Sequence, residues 1–215
     1  MNGDSHMNVP VVEFCMFPST EEYQENPVKG LTGVFDILWN KAEGTQFVYH
    51  GVEKEDLETA YLLVGWKTLA HHLKLMSNTT YYDPLLASLE SSMSTSLSNV
   101  EVIHIQFGFP PNKAFESPVT ELSFITPKSE DEEERVKVTE MVKEMERMLT
   151  KAGIPCAWGP AVDKEGLVTL AVGWESVAKH WSTVKENHHM HDIVGTLLEA
   201  AEVVVKHVKL SPYVG

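Results

Sequence analysis

The chain has 215 residues, 43% of them hydrophobic, and a formal charge of −14 from 17 Lys and Arg against 31 Asp and Glu. That is enough apolar chain for one large domain or two small ones, but the basic residues form no stripe that could track a phosphate backbone. No apolar run approaches the roughly 18 residues of a membrane span, so neither nucleic acid nor membrane is expected as a partner.

Residues 1–8, which include the stretch GDSHM, read as a tag remnant outside the fold. Val9 to Phe17 alternates and is rich in Val and Phe, as a strand does. Pro27 opens a helix with Leu31, Val34, Phe35 and Leu38 on one stripe. Strands are predicted at Gln46 to His50 and Ala60 to Trp66, then a helix from Lys67 to Met76. A second helical piece starts at Asp83-Pro84, an N-cap followed by proline at N1. Val100 to Phe107 closes this unit as a strand, and Gly108 to Pro118 has the glycine and prolines of a linker.

The order then returns. Val119 to Ile125 is a strand, and Ser129 with Glu132 has capping-box spacing ahead of a helix carrying Val138, Val142, Met145 and Leu149, which Gly153 ends. Strands near Cys156 to Trp158 and from Leu167 to Trp174 precede helices at Glu175 to Glu186 and Met190 to Ala201, and the last strand runs from Val203 to Leu210. A shift of 108 positions superposes Val64-Gly65-Trp66 on Val172-Gly173-Trp174, His72 on His180, Glu13 on Glu121 and Gly51 on Gly159. At a shift of 103, His104 falls on His207. Residues 9–107 and 119–210 are therefore two copies of one βαββαβ, ferredoxin-like unit, with residues 108–118 between them and 211–215 as a tail. Each unit covers one sheet face with its own helices and needs a partner for the other.

The strand acids in VVEF and VTEL, the VGWKTL and VGWESV junctions, His72 and His180, and the closing IHIQF and KHVKL resemble the dimeric α+β barrel superfamily, in its antibiotic-biosynthesis-monooxygenase-like (ABM) branch. The resemblance covers about residues 9 to 210. It implies an α+β fold in which the two repeats form an intramolecular version of a barrel usually made by two chains, a fused pseudo-dimer active as a monomer or as a homodimer.

Alternation puts Glu13 and Phe17 on one face of the first strand, and His104 on one face of its expected neighbour. With polar side chains directed away from the helices, Glu13 and His104, like Glu121 and His207, are expected to enter the barrel as acid–base pairs. Compared with plant polyketide cyclases of the superfamily, His189 in NHHMHD falls at their catalytic histidine, and Tyr81 is its counterpart in the first copy. The catalytic candidates are thus His189, His207, His104, Glu121, Glu13 and Tyr81. Trp158, His50, Tyr49, Phe17, Trp181, His180 and His72 are candidates for lining a substrate cavity. No GxGxxG, P-loop, Gly-x-Ser-x-Gly or CxxC pattern occurs, so nicotinamide, nucleotide and triad chemistries lack support. Two cysteines, Cys15 and Cys156, with no charged-then-apolar leader, read as reduced thiols of a cytoplasmic protein. Neither cofactor nor metal is expected. The function expected is cyclisation, aldol-type or pericyclic, of an apolar polyketide- or terpenoid-like intermediate in natural-product biosynthesis. Cofactor-free oxygenation of a phenol or anthrone, and a non-catalytic binding or stress-response barrel, are the alternatives.

Overall fold

A computed structural model describes residues 9–214; the proposed tag remnant, residues 1–8, lies outside them. The first repeat comprises β1 (Val11–Pro18), α1 (Glu21–Glu25), α2 (Pro27–Gly30), α3 (Thr32–Asn40), β2 (Thr45–Glu53), β3 (Thr59–Trp66), α4 (Leu69–Met76), α5 (Thr79–Glu90) and β4 (Glu101–Gln106). After a short α6 (Asn112–Phe115), the second comprises β5 (Val119–Pro127), α7 (Glu132–Lys151), β6 (Cys156–Pro160), β7 (Val168–Trp174), α8 (Val177–Glu186), α9 (His188–Ala200) and β8 (Ala201–Pro212).

The strands form one antiparallel sheet in the order β4-β1-β3-β2-β8-β5-β7-β6. Its centre is a seam between the repeats, where Gly51 pairs with Leu210. Its two ends approach each other: Ile105 bridges Ala161, and Gly108 N–H donates to the Trp158 carbonyl at 3.0 Å. The fold is therefore a nearly closed dimeric α+β barrel built from a single chain. Registers repeat between the halves, with Glu13 opposite Val64 and His104, and Glu121 opposite Val172 and His207.

Three apolar layers result. Val12, Phe14, Leu63, Ile105, Leu122 and Val208 are among the side chains that fill the barrel interior. Phe17, Leu31, Phe35, Val64 and Trp66 pack the first repeat's helices on the outer face of the sheet, and Ile125, Val142, Leu170 and Trp174 do so in the second. Gly108 to Pro118 does more than link the halves, because Phe115 on α6 is fully buried in the barrel interior, edge-on to Phe14, Tyr49 and Phe107.

Local departures from the sequence expectations have local causes. Pro84 sits inside α5 instead of at its start, since the Asn78 carbonyl takes the Tyr81 and Tyr82 N–H groups and adds a turn ahead of it. Helix α7 is capped by Asp131, whose carboxylate accepts from Glu133 and Glu134 N–H, while Ser129 Oγ accepts from Asp131 N–H. The expected tail begins as strand: β8 runs to Pro212, and Tyr213 stacks on Phe35 with centroids 4.0 Å apart.

Candidate functional site

The expectation that Glu13, His104, Glu121 and His207 enter the barrel does not hold. Val12, Phe14 and Met16 take the inner face of β1, so Glu13, Cys15 and Phe17 face the helices. The inner face is packed around Phe14, Leu63, Ile105, Leu122 and Val208 and leaves a space of about 360 Å³ at one end, among Met16, Tyr61, Ile103, Phe124 and Lys206, while the polar pairs lie in the sheet–helix layers. Both faces of β1 are largely apolar, which leaves alternation unable to say which one points inward.

In the first repeat two side chains meet Glu13, and a third and fourth extend the chain. Trp66 Nε1–H donates to Glu13 Oε2 at 2.7 Å. His72, delivered by α4, stacks on Trp66 with centroids 5.1 Å apart and places Nδ1 3.6 Å from the same oxygen. His72 Nδ1 and His104 Nε2 are 2.7 Å apart, and His104 Nδ1 lies 2.6 Å from Asp163 Oδ2. A carboxylate accepts from Nδ1–H, so His104 Nε2 is the acceptor for His72 Nδ1–H, and His72 Nε2 keeps its lone pair. The second repeat has a corresponding chain that differs at one ring. Trp174 Nε1–H donates to Glu121 Oε2 at 2.7 Å, His180 turns Nε2, not Nδ1, to within 3.3 Å of that oxygen and sets Nδ1 2.8 Å from His207 Nε2, and His207 Nδ1 reaches Glu55 Oε1 at 2.5 Å. Glu55 and Asp163 correspond under the shift of 108 positions, and each serves the other repeat's histidine.

Burial, more than any neighbour, lowers the basicity of His72 and His180; Glu13 and Glu121 oppose this, and the adjacent histidines add to it. Both rings are therefore held toward the neutral form. Asp163 would be raised by its burial, yet the hydrogen bonds from the His104 ring and backbone bring it below the ordinary carboxylate value. Burial, then the charge on Glu13, drives the Cys15 thiol far up and makes it inert.

The halves differ beside these chains. Glu13 and His72 border a cavity of about 320 Å³ whose other walls, among them Leu62, Val64, Leu85, Leu86, Leu89 and Val100, are apolar. Tyr82 also lines it, its phenol raised first by burial and then by Glu13. The corresponding space beside Glu121 and His180 is only about 70 Å³. Trp181, where the first repeat has Leu73, stacks on His180 at 4.3 Å. Ser123 Oγ–H donates to Glu121 Oε1 at 2.6 Å, whereas Cys15 stands at the matching place in the first repeat. Among the described residues no hydrogen bond reaches Glu13 Oε1. The first repeat thus presents an open cavity with a carboxylate oxygen to spare, and the second has closed both.

Each trio, Glu13 with His72 and His104 or Glu121 with His180 and His207, brings one possible ligand atom per residue within 4.8 Å of the others. A divalent ion taking those atoms in the first repeat would have to displace the proton between His72 and His104.

The remaining sequence candidates lie elsewhere. His189 is exposed on α9, 3.5 Å from Glu144, and borders neither cavity of the sheet–helix layers. Tyr81 packs against the first repeat's helical core, but its neighbour Tyr82 lines the cavity. Tyr49 lies in the barrel interior with its hydroxyl donating to Glu116 at 2.8 Å, and Phe17 packs on Tyr23. His50 is buried beside Phe35, and its Nδ1 has no hydrogen-bond partner among the described residues. Trp158 lies beneath Lys143 at 5.7 Å, and Trp181 borders the small second space. Asp163, Glu55 and Tyr82 escaped the sequence reading, although the two carboxylates share the repeat shift and lie in the loops that follow Gly51 and Gly159.

No protein-family model matches the chain, and no functionally curated protein does. Solved structures do. An anthrone oxidase-like protein superposes with a TM-score of 0.68 at 10% identity, over 96% of this chain and 92% of that one. A presumed monooxygenase from Lactobacillus acidophilus NCFM gives 0.63 at 12% identity over 95% of both chains. Another from Fusobacterium nucleatum gives 0.64 at 11% identity, covering 95% of this chain and 92% of that one. At such identities the likeness establishes the fold. Among the described residues no helix is long and apolar enough to cross a membrane.

Proposed function

We propose that the protein is an ABM-like oxygenase that admits a neutral, apolar, aromatic small molecule to the first repeat's cavity and uses Glu13 as a general base. One observation carries this reading: Glu13, whose Oε1 takes no hydrogen bond among the described residues, borders an apolar cavity of about 320 Å³, within the roughly 300–1,000 Å³ usual for small-molecule sites. The absence of Lys and Arg from the cavity wall favours an uncharged substrate with one acidic proton, a phenol or a C–H next to a carbonyl.

Glu13 takes that proton, a contribution of about 10²–10⁴ in rate for a positioned base. Trp66 N–H holds the carboxylate while it does so, and the His72 ring is stacked on Trp66 beside it. The resulting electron-rich anion passes electrons to dioxygen, a carbon–oxygen bond forms, and loss of water leaves a ketone; a CH₂ group and one O₂ become C=O and one H₂O. Dioxygen is the only oxidant. The likeness to an anthrone oxidase-like protein and to presumed monooxygenases supports oxygenation over the cyclisation expected from sequence. The same base and confinement would also serve ring closure.

Oxygen uptake by chelator-treated protein, with anthrone as the probe, tests the reading. One O₂ consumed per quinone formed is expected. Turnover that vanishes on chelation and returns with a divalent ion would make the Glu13 cluster a metal centre instead, and ring-closed product without oxygen uptake would restore cyclisation.

A further inference from the structure

We infer that Asp163, a residue of the second repeat, is a positioning residue for the first repeat's site, so the open cavity works only because the other repeat completes it. The inference rests on the reading that Glu13 is the base.

The loop after β6 grips His104 at three points. Asp163 Oδ2 meets the ring Nδ1 at 2.6 Å, Asp163 Oδ1 accepts from the His104 backbone N–H at 3.1 Å, and Val162 N–H donates to the His104 carbonyl at 2.8 Å. These bonds fix both the orientation and the tautomer of the imidazole: Nδ1 carries the hydrogen, and Nε2 is left to accept. The acceptor then determines the next ring. His72 must turn Nδ1–H toward His104, which lays its face on Trp66 and sets the same Nδ1 3.6 Å from Glu13 Oε2. Asp163 thus places the base through two intervening rings and touches no substrate.

The second repeat supplies an internal control. Glu55 holds His207 by the ring at 2.5 Å and by the backbone N–H at 3.1 Å, and Lys54 N–H donates to the His207 carbonyl at 2.7 Å. The grips are equivalent, but the Glu55 grip ends at Glu121, whose free oxygen is capped by Ser123 and whose cavity is nearly filled. A purely structural role would make the two carboxylates interchangeable in effect. A positioning role makes only Asp163 matter to turnover. Glu55 also shows that a glutamate can form this grip.

Asp163→Asn, Asp163→Glu and Glu55→Gln in the full chain separate these roles. Asp163→Asn is expected to lower kcat for anthrone oxidation by roughly 10- to 100-fold, as loss of an orienting carboxylate does, with KM little changed because no wall of the cavity moves. Asp163→Glu restores most of the rate, and Glu55→Gln leaves it within about twofold. Independently of turnover, ¹⁵N shifts of the ring nitrogens show His104 protonated at Nδ1 in the parent and Asp163→Glu proteins, with that preference lost in Asp163→Asn. Unchanged tautomer populations in Asp163→Asn overturn the inference. So does an unchanged kcat in Asp163→Asn while Glu13→Gln is inactive. If Glu13→Gln and Asp163→Asn are both fully active, the assignment of Glu13 as base fails first, and the tautomer measurement still decides whether Asp163 orients the rings.

Discussion

A Cβ built on Gly159 would stand 2.2 Å from the carbonyl oxygen of Gln106, the last residue of the strand that closes the barrel. Gly51, its counterpart, would bring a Cβ to 2.4 Å from the Lys209 carbonyl oxygen at the other seam. Neither distance can be met without parting backbones, which explains why the sequence repeats a glycine there. Gly159→Ala and Gly51→Ala are each expected to cost about 1–3 kcal/mol, read as a lowered Tm. Gly195→Ala, in α9 with open space around it, should instead gain about 0.5–1 kcal/mol from helix propensity.

Phe115 converts the linker into part of the core. Its ring is fully buried and meets Phe14, Phe47, Tyr49 and Phe107. Phe115→Ala is expected to destabilise by about 3–5 kcal/mol, measured by denaturant unfolding. A loss below 1 kcal/mol would mean that the barrel interior does not depend on this plug.

Acid should weaken the fold through the buried imidazoles. His72 and His180 are held below the ordinary histidine value, so the unfolded chain binds more protons as pH falls past about 6.5. The stability tied to their neutral burial is present above that value and declines progressively down to the depressed folded-state values. Asp163, also lowered, has the same sign, but its share is lost only as pH falls from about 3.8 toward its folded-state value. Replacing His180 with Gln should flatten the upper part of this dependence in unfolding curves taken from pH 8 to 5; an unaltered slope would contradict the assignment.

His189 tests the value of the histidine-rich stretch. It is exposed and does not line the open cavity, so His189→Ala should leave turnover unchanged and stability within about 0.5 kcal/mol. A large drop in kcat would shift attention to the surface of α9.

Much of this was readable in the sequence. The two-fold repetition of Val-Gly-Trp, the strand acids and the helix histidines specified the fold, and the register did make Glu13 and His104 direct neighbours. The face was not readable, because Val12, Phe14 and Met16 are as apolar as the Cys15 and Phe17 side chains opposite them. His72 held the missing clue, since a histidine on a packing helix can meet Glu13 only in the sheet–helix layer. The asymmetry of the two sites was also written at paired positions, Cys15 against Ser123 and Leu73 against Trp181, but its meaning depended on knowing which side chains approach the carboxylate. The crossing of Glu55 and Asp163 between repeats came from loops, where no hydrophobic period marks direction.

The most direct test compares Glu13→Gln with Glu121→Gln for anthrone-dependent oxygen uptake, with thermal unfolding of both as a check on folding. The asymmetry of the cavities predicts a fall of about 100-fold or more in kcat for Glu13→Gln and a change of no more than about twofold for Glu121→Gln, both proteins remaining folded. Equal losses in the two variants, or a loss confined to Glu121→Gln, would contradict the placement of the reaction in the first repeat.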